Sequence, residues 1–91
     1  IKFTNSVKVP QIGWNQIVNL QTSLFKGVPE NGYVYLVHSF YVPSCVENIA
    51  TCEYGISYSA ALNKDNFYGT QFHPEKSSEI GAQILRNFLE L

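Results

Sequence analysis

Residues 33–42 constrain the fold most, because aromatic and β-branched side chains occupy both faces of an extended chain there. Only His38 and Ser39 interrupt this apolar character, and Pro43 follows. The pattern predicts a strand buried on both sides, as in the centre of a sheet. A chain of 91 residues makes one small domain that buries only about 60 to 65% of its unfolded surface. The strand therefore needs cover that this length can scarcely supply.

Residues 69–77, with the sequence GTQFHPEKS, end an apolar extended run at His73. Pro74 stops the strand and holds the preceding residue in extended backbone. Side chains two positions apart in an extended chain project to the same side, so Glu75 can reach one imidazole nitrogen and leave the other as a base. This is the base and orienter of a nucleophilic triad. An ordinary strand-ending turn uses the same residue types and is the alternative interpretation.

Residues 78–91 change to a helical period, with an apolar stripe formed by Ile80, Gly81, Ile84, Leu85, Phe88 and Leu89. Ser77 is the predicted N-cap, and Arg86 is predicted to pair with Glu90 one turn later. Gly81 lies where a helix could approach a sheet closely. The pattern predicts a helix that covers one face of a sheet.

The remaining segments are predicted more coarsely. Proline and glycine in residues 10–15 are expected to break regular structure around Trp14, which is either a core anchor or a partner contact. Residues 16–26 predict a short helix or an irregular turn that ends near Gly27. Three further strands are predicted at residues 50–57, 58–62 and 67–73, the last of which delivers His73.

Composition excludes several classes of partner. The net charge is −1 with no basic cluster, which argues against nucleic acid or an anionic membrane as the main partner. No apolar run approaches the roughly 18 residues that span a bilayer, and a cytoplasmic protein is expected. Only 14% of the residues are charged, which indicates surface that is covered by further chain or by a partner.

Cys45 and Cys52 are predicted to be reduced, because a disulfide framework would need more cysteines and a secretory context. A zinc site built from them with His38 and His73 would lack the close spacing of cysteine and histidine ligands. Neither cysteine lies in the glycine-flanked turn that presents a nucleophile. No metal and no other cofactor is expected.

With these motifs in view, the run GTQFHPEKS resembles the His/Glu signature of triad (class I) glutamine amidotransferases. Two more motifs in consistent order, KVPQIGWN at residues 8–15 and YVYLVHS at residues 33–39, are similar to the glutaminase subunits of imidazole glycerol phosphate synthases. The resemblance covers nearly the whole chain. It implies an α/β, flavodoxin-like three-layer fold, of which residues 1–91 would be the β-rich carboxy-terminal half, with a C-terminal helix packed on the sheet.

The resemblance also implies roles for particular residues. His73 would be the catalytic base and Glu75 its orienter. The nucleophilic cysteine would come from an amino-terminal half, because no glycine-flanked elbow occurs here, so that this segment alone would be inactive. Backbone around three residues would line the L-glutamine pocket: His38, Ser39 and Phe40. Three others would face the barrel-fold cyclase subunit that receives ammonia in histidine biosynthesis: Trp14, Tyr35 and Lys76.

Two alternatives remain open. A related amidotransferase could feed ammonia to a different synthase, which co-purification with a barrel-fold cyclase would distinguish. A stand-alone, non-enzymatic β-rich interaction module would instead melt cooperatively and never hydrolyse glutamine.

Overall fold

The computed structural model describes residues 10–43 and 45–91. The first two residues of the KVPQIGWN motif lie outside this part of the chain. The described residues form the strands β1 (Gln11–Ile17), β2 (Gly32–His38), β3 (Val42–Pro43), β4 (Asn48–Glu53), β5 (Ser57–Lys64) and β6 (Phe67–Thr70) and the helix α1 (Ser78–Leu89). Two 3-10 turns complete them, at Ser23–Phe25 and Pro74–Lys76.

The strands form two antiparallel sheets. β1 and β2 pair in continuous register, from Gln11 opposite His38 to Ile17 opposite Gly32. In the second sheet, β5 has β4 on one edge, while β3 and β6 share its other edge. The sheets join just after β1, where Val18 and Thr51 exchange backbone hydrogen bonds of 2.9 and 2.8 Å.

β1 occupies residues for which the sequence predicted a break. Pro10 lies before the strand, where its missing N–H costs no ladder hydrogen bond. Gly13 lies within the strand at φ 127°, a conformation open to glycine because it has no Cβ. The prediction was wrong because both breaking residues occupy positions that a strand tolerates.

β2 is shorter and less buried than predicted. It ends at His38, and its side chains alternate between the core and the surface. Val34 and Leu36 are fully buried, whereas Tyr33 is 53% exposed. Only one face of β2 is therefore buried, and within the described residues β2 pairs with β1 alone. Strand propensity is similar for aromatic and β-branched residues on either face, which is why the sequence did not distinguish the two cases.

The hydrophobic core draws on both sheets, the connection between β1 and β2, and α1. Its buried members are Ile17, Leu24, Phe25, Val34, Leu36, Ile49, Ala50, Cys52, Tyr58, Ala60, Ala61, Phe72 and Ile84. Leu24 and Phe25 belong to the turn Ser23–Phe25, so the connection that carries them is part of the core. The segment 16–26 was predicted as a short helix or an irregular turn, and the turn is confirmed.

Glu30 fixes the course of this connection. Its two carboxylate oxygens accept hydrogen bonds from the backbone N–H groups of Asn19 and Leu20, both at 2.8 Å. A carboxylate that satisfies two adjacent backbone donors holds the chain in one conformation as it leaves β1.

α1 begins at Ser78 and ends at Leu89, in agreement with the helical period. Its stripe is narrower than predicted, because Phe88 and Leu89 are 49% and 81% exposed. The predicted pair of Arg86 and Glu90 is replaced by a hydrogen bond of 2.7 Å from Arg86 Nη2 to Gln83 Oε1. Phe88 still meets the ring of Tyr68 edge to face, with centroids 6.0 Å apart, so the outer side of the stripe is only partly covered.

Asn87 attaches α1 to the connection between β1 and β2. Its buried side-chain amide donates to the carbonyl oxygens of Leu24 and Lys26, both at 2.8 Å, and its oxygen accepts from Gln83 at 2.9 Å. A buried asparagine is stable here because its donors and its acceptor all have partners.

Candidate active site

His73 follows β6 and immediately precedes the turn Pro74–Lys76. Its backbone is extended, with φ −100° and ψ 99°, as expected for a residue before proline. The sequence predicted a strand that reaches His73, but β6 ends at Thr70 because the chain then turns from β5 toward β2. The N–H of His73 donates to the carbonyl oxygen of Tyr35 at 3.0 Å. The structure therefore fixes His73 against the sheet formed by β1 and β2.

The residues just before His73 are held by the other sheet. The N–H of Gln71 donates to the carbonyl oxygen of Ala60 in β5 at 2.8 Å. Phe72 is buried in the core, and its carbonyl accepts from the Thr70 hydroxyl at 3.1 Å. His73 thus lies where the chain crosses from one sheet to the other, and both sheets restrain its backbone.

The imidazole of His73 meets the carboxylate of Glu75. Nδ1 of His73 lies 3.3 Å from Oε2 of Glu75, and the two side chains are 39% and 61% exposed. The predicted contact is present, although Glu75 belongs to the 3-10 turn and not to an extended chain. With Nδ1 engaged by the carboxylate, Nε2 is the nitrogen that could accept a proton from a substrate or a nucleophile.

Ser77 fastens this motif to β2 and was predicted only as a helix cap. Its hydroxyl donates to the carbonyl oxygen of His73 at 2.7 Å and accepts from the N–H of Tyr35 at 2.9 Å. The side chain makes no capping hydrogen bond to α1. Ser77 thus occupies the predicted N-cap position, but its hydroxyl does not cap the helix because it is engaged by Tyr35 and His73.

His38 lies at the end of β2 in a polar network. Its Nδ1–H donates to the carbonyl oxygen of Phe40 at 2.7 Å, and Nε2 lies 2.7 Å from Gln11 Oε1 and 3.1 Å from the Tyr58 hydroxyl. The Tyr58 hydroxyl donates to the same Gln11 oxygen at 2.7 Å. This network was not predicted, because its members come from three separate strands.

Burial lowers the pKa of His38 from its ordinary value. The hydrogen bond to Phe40 opposes this effect, whereas the charge of nearby His73 adds to the lowering of the His38 pKa. Ser39 is half-buried and Phe40 is 61% exposed, so residues 38–40 form an accessible segment at the end of β2.

Trp14 and Tyr35 lie opposite each other in the pairing of β1 with β2. Their rings meet edge to face, with centroids 5.8 Å apart. Trp14 is 51% exposed, so among the described residues it is not a fully buried core anchor. Beside it, a cleft of about 390 Å³ is lined in part by Tyr33 and by Ile80 of α1. Lys76 is exposed in the turn after His73.

Both cysteines are free thiols. Burial raises the pKa of the Cys52 thiol, which donates to the carbonyl oxygen of Gln16 at 3.2 Å. Such a buried, protonated thiol is unreactive. Among residues 10–43 and 45–91, no three histidine, cysteine or acidic side chains are arranged to hold a metal ion. No helix in the same residues is long and apolar enough to cross a membrane.

The model of the family "Glutamine amidotransferase class-I" matches residues 2–91, so the chain belongs to the class-I glutamine amidotransferases. This membership confirms the predicted family and its class of fold, to which these residues contribute a sheet-rich part and a C-terminal helix.

Particular relatives are also similar to the chain. Imidazole glycerol phosphate synthase subunit HisH of Bacteroides thetaiotaomicron is 56% identical over 84 residues, which is 92% of this chain and 43% of that protein. HisH of Methanosarcina mazei is 52% identical over an alignment of 96 residues, which covers 100% of this chain and 48% of that protein. HisH of Buchnera aphidicola is 50% identical over 88 residues, covering 96% and 45%. The chain thus spans a little less than half the length of these relatives.

Proposed function

We propose that these residues form the carboxy-terminal part of a glutaminase that hydrolyses L-glutamine to glutamate and ammonia. The observation that carries the proposal is the contact between His73 and Glu75 in a chain similar to HisH proteins. The base and its orienter are thus in this segment. The nucleophilic cysteine is supplied by the amino-terminal half of the whole protein, and the segment alone is inactive.

In the proposed reaction, Nε2 of His73 takes the proton of the cysteine thiol, and the thiolate attacks the side-chain amide carbon of glutamine. When the C–N bond breaks, His73 returns this proton to the leaving ammonia, and a thioester remains. Water then hydrolyses the thioester with His73 again as the base. Glu75 holds the proton of His73 on Nδ1, which keeps Nε2 free of a proton at the start of the cycle.

The accessible segment formed by His38, Ser39 and Phe40 is the proposed glutamine site. It is supported by its position at the end of β2, the strand whose Tyr35 carbonyl oxygen accepts a hydrogen bond from the N–H of His73. Backbone groups of this segment would orient the substrate, while the hydrogen bond from His38 Nδ1–H to the Phe40 carbonyl oxygen restrains the segment.

The proposed partner is the barrel-fold cyclase subunit of imidazole glycerol phosphate synthase, which uses ammonia to make imidazole glycerol phosphate and AICAR in histidine biosynthesis. Ammonia released into water would be protonated and lost as a nucleophile, so the two subunits must work as a heterodimer. Trp14, Tyr35 and Lys76 are the proposed contacts, since half-exposed aromatic residues beside a cleft are typical of interfaces. The free thiols of Cys45 and Cys52 support a reducing, cytoplasmic location.

The test uses the full-length protein with its cyclase partner and measures glutamate release. We expect His73→Ala to lower glutamine hydrolysis by about 10²- to 10⁴-fold, because the general base is lost. Asn66→Ala, in the exposed turn between β5 and β6, is the control and should keep wild-type activity. Unchanged hydrolysis in His73→Ala would reject the proposed function. Hydrolysis without any association with the cyclase would instead point to a different ammonia-accepting synthase.

A further inference from the structure

Three hydrogen bonds close a ring between β2 and the His73 segment. The N–H of His73 donates to the carbonyl oxygen of Tyr35 at 3.0 Å. The N–H of Tyr35 donates to the Ser77 hydroxyl at 2.9 Å, and that hydroxyl donates to the carbonyl oxygen of His73 at 2.7 Å. The Ser77 hydroxyl therefore bridges the N–H of Tyr35 and the carbonyl oxygen of His73. Both backbone groups of His73 are thus connected to Tyr35, the N–H directly and the carbonyl through Ser77.

Ser77 is only 1% exposed, so water does not replace its hydroxyl in this ring. The segment is also packed tightly from the helix side. At Gly81, a Cβ atom would overlap the carbonyl oxygen of Pro74, and it would lie 2.9 Å from the Cβ of Ser77. α1 thus presses Ser77 and Pro74 toward β2, and the hydroxyl has little freedom to choose other partners.

We propose that Ser77 is a positioning residue that sets the His73 imidazole relative to β2, and that it thereby couples the base to the strand that carries Tyr35. The proposal rests on the proposed function, in which His73 is the base. Ser77 contacts neither substrate nor nucleophile in this account. It acts through the backbone of His73.

The coupling follows from the connectivity of the ring. Tyr35 contributes its backbone to the ring and its side chain to the contact with Trp14. A shift of β2 at Tyr35, as when a partner presses on the Trp14 surface, displaces both hydrogen bonds that hold the His73 backbone. The imidazole moves with its backbone, and a displacement of about 1 Å in a catalytic group can change the rate by up to about 10²-fold.

Removing the Ser77 hydroxyl tests whether Ser77 positions His73 or only stabilises the fold. In Ser77→Ala the N–H of Tyr35 loses its acceptor, while the carbonyl oxygen of His73 keeps only the N–H of Lys76, at 3.0 Å. The base is then held by fewer constraints although the fold retains its core. Such a change lowers kcat, because the base is less often in the productive position, and leaves substrate binding largely intact.

The experiment measures kcat and KM for glutamine in the full-length protein, with and without the cyclase subunit, at a temperature where circular dichroism shows every variant fully folded. We expect Ser77→Ala to lower kcat by about 10- to 10²-fold with KM little changed, and to reduce the stimulation by the cyclase. Two control variants, Ser78→Ala and Ser59→Ala, should retain the wild-type kcat. Ser78 is the exposed neighbour, and Ser59 is a buried serine whose hydroxyl donates to the Pro43 carbonyl oxygen at 3.2 Å.

Ser77→Cys provides the second variant if Ser77→Ala does not fold. A thiol of nearly the same shape is a weaker hydrogen-bond donor, so an intermediate kcat is expected. A wild-type kcat in the folded alanine variant, or in the cysteine variant where alanine does not fold, would overturn the proposal. An equal loss in Ser77→Ala and Ser59→Ala would also overturn it.

Failure of the proposed function gives a different result. If the wild-type complex does not hydrolyse glutamine, or if His73→Ala retains activity, both proposals fall. If wild type and His73→Ala behave as expected while Ser77→Ala matches its controls, only the positioning role of Ser77 is wrong.

Discussion

Nδ1 of His73 lies 3.3 Å from Oε2 of Glu75, although Pro74 separates the two residues and begins a 3-10 turn. The turn brings the carboxylate back toward the ring that precedes it. Because His73 is anchored to Tyr35 through its backbone N–H, the carboxylate acts on an imidazole whose backbone is already fixed. The short sequence between Phe72 and Ser77 therefore contains the base and its orienter, while Tyr35 in β2 restrains the backbone of the base.

Replacement of Glu75 tests how much the orientation of the His73 imidazole contributes to the rate while the base itself is retained. We expect Glu75→Gln to lower glutamine hydrolysis in the full-length complex by about 10-fold, less than the loss in His73→Ala, because the base remains. The free energy of unfolding should change by less than about 1 kcal/mol, since the pair is largely exposed. Steady-state kinetics and urea denaturation measure the two quantities. A loss of activity equal to that of His73→Ala would contradict this division of roles.

The half-exposed indole of Trp14 is expected to stabilise the complex with the cyclase. We expect Trp14→Ala to weaken the binding of that subunit by about 2 kcal/mol or more, as is typical of an aromatic interface anchor. Isothermal titration calorimetry of the full-length protein with the cyclase measures the change. Phe67→Ala is the control, because Phe67 is 76% exposed in β6, on the other sheet. Equal affinities of wild type and Trp14→Ala would exclude Trp14 from the interface.

Gly81 permits the close approach of α1 to the turn after His73. Alanine usually stabilises a helix relative to glycine by about 1 kcal/mol, but here its Cβ would overlap the Pro74 carbonyl oxygen. We therefore expect Gly81→Ala to lower the free energy of unfolding by about 1 to 3 kcal/mol, as measured by urea denaturation. In Gly69→Ala the added Cβ meets nothing within 4 Å, and little change is expected. A stabilised Gly81→Ala variant would show that the helix can move away.

His38 gives the fold a defined dependence on pH. Burial lowers its pKa below the ordinary value of 6.5, so the unfolded chain binds a proton more readily than the folded chain. The stability contributed by neutral His38 is complete above pH 6.5 and is lost as the pH falls through this value toward the lowered pKa. We expect wild type to lose more stability than His38→Gln between about pH 8 and about pH 5, as measured by thermal melting. Equal losses of stability in wild type and in His38→Gln would show that His38 is not the source of this pH dependence.

Local signals predicted the elements that depend on local chemistry. The helical period placed α1 correctly, because the pattern of apolar residues is contained in that segment. The two strands predicted on either side of Gly55 correspond to β4 and β5, but residues 54–56, which were predicted as the end of the first strand, form the connection between them. The pairing of His73 with Glu75 was also predictable, since two positions of separation suffice to bring them together.

The rest depends on contacts between residues far apart in sequence. The hydroxyl of Ser77 was assigned to the helix next to it, yet its partners include Tyr35, which is 42 positions away. The polar network of His38 draws on Gln11 and Tyr58, which lie on β1 and β5. No short pattern reports such partners, so the sequence indicated the reactive residues but not the groups that fix their positions.

The anchoring of Asn87 to Leu24 and Lys26 makes the connection between β1 and β2 the support on which the terminal helix rests. Surface loops usually accept extra residues or an epitope tag without harm. Here an insertion would carry the two carbonyl oxygens away from the amide and release α1, which in turn presses on the segment that follows His73. The exposed turn at residues 65–66, which makes none of these attachments, is the better place for such an addition.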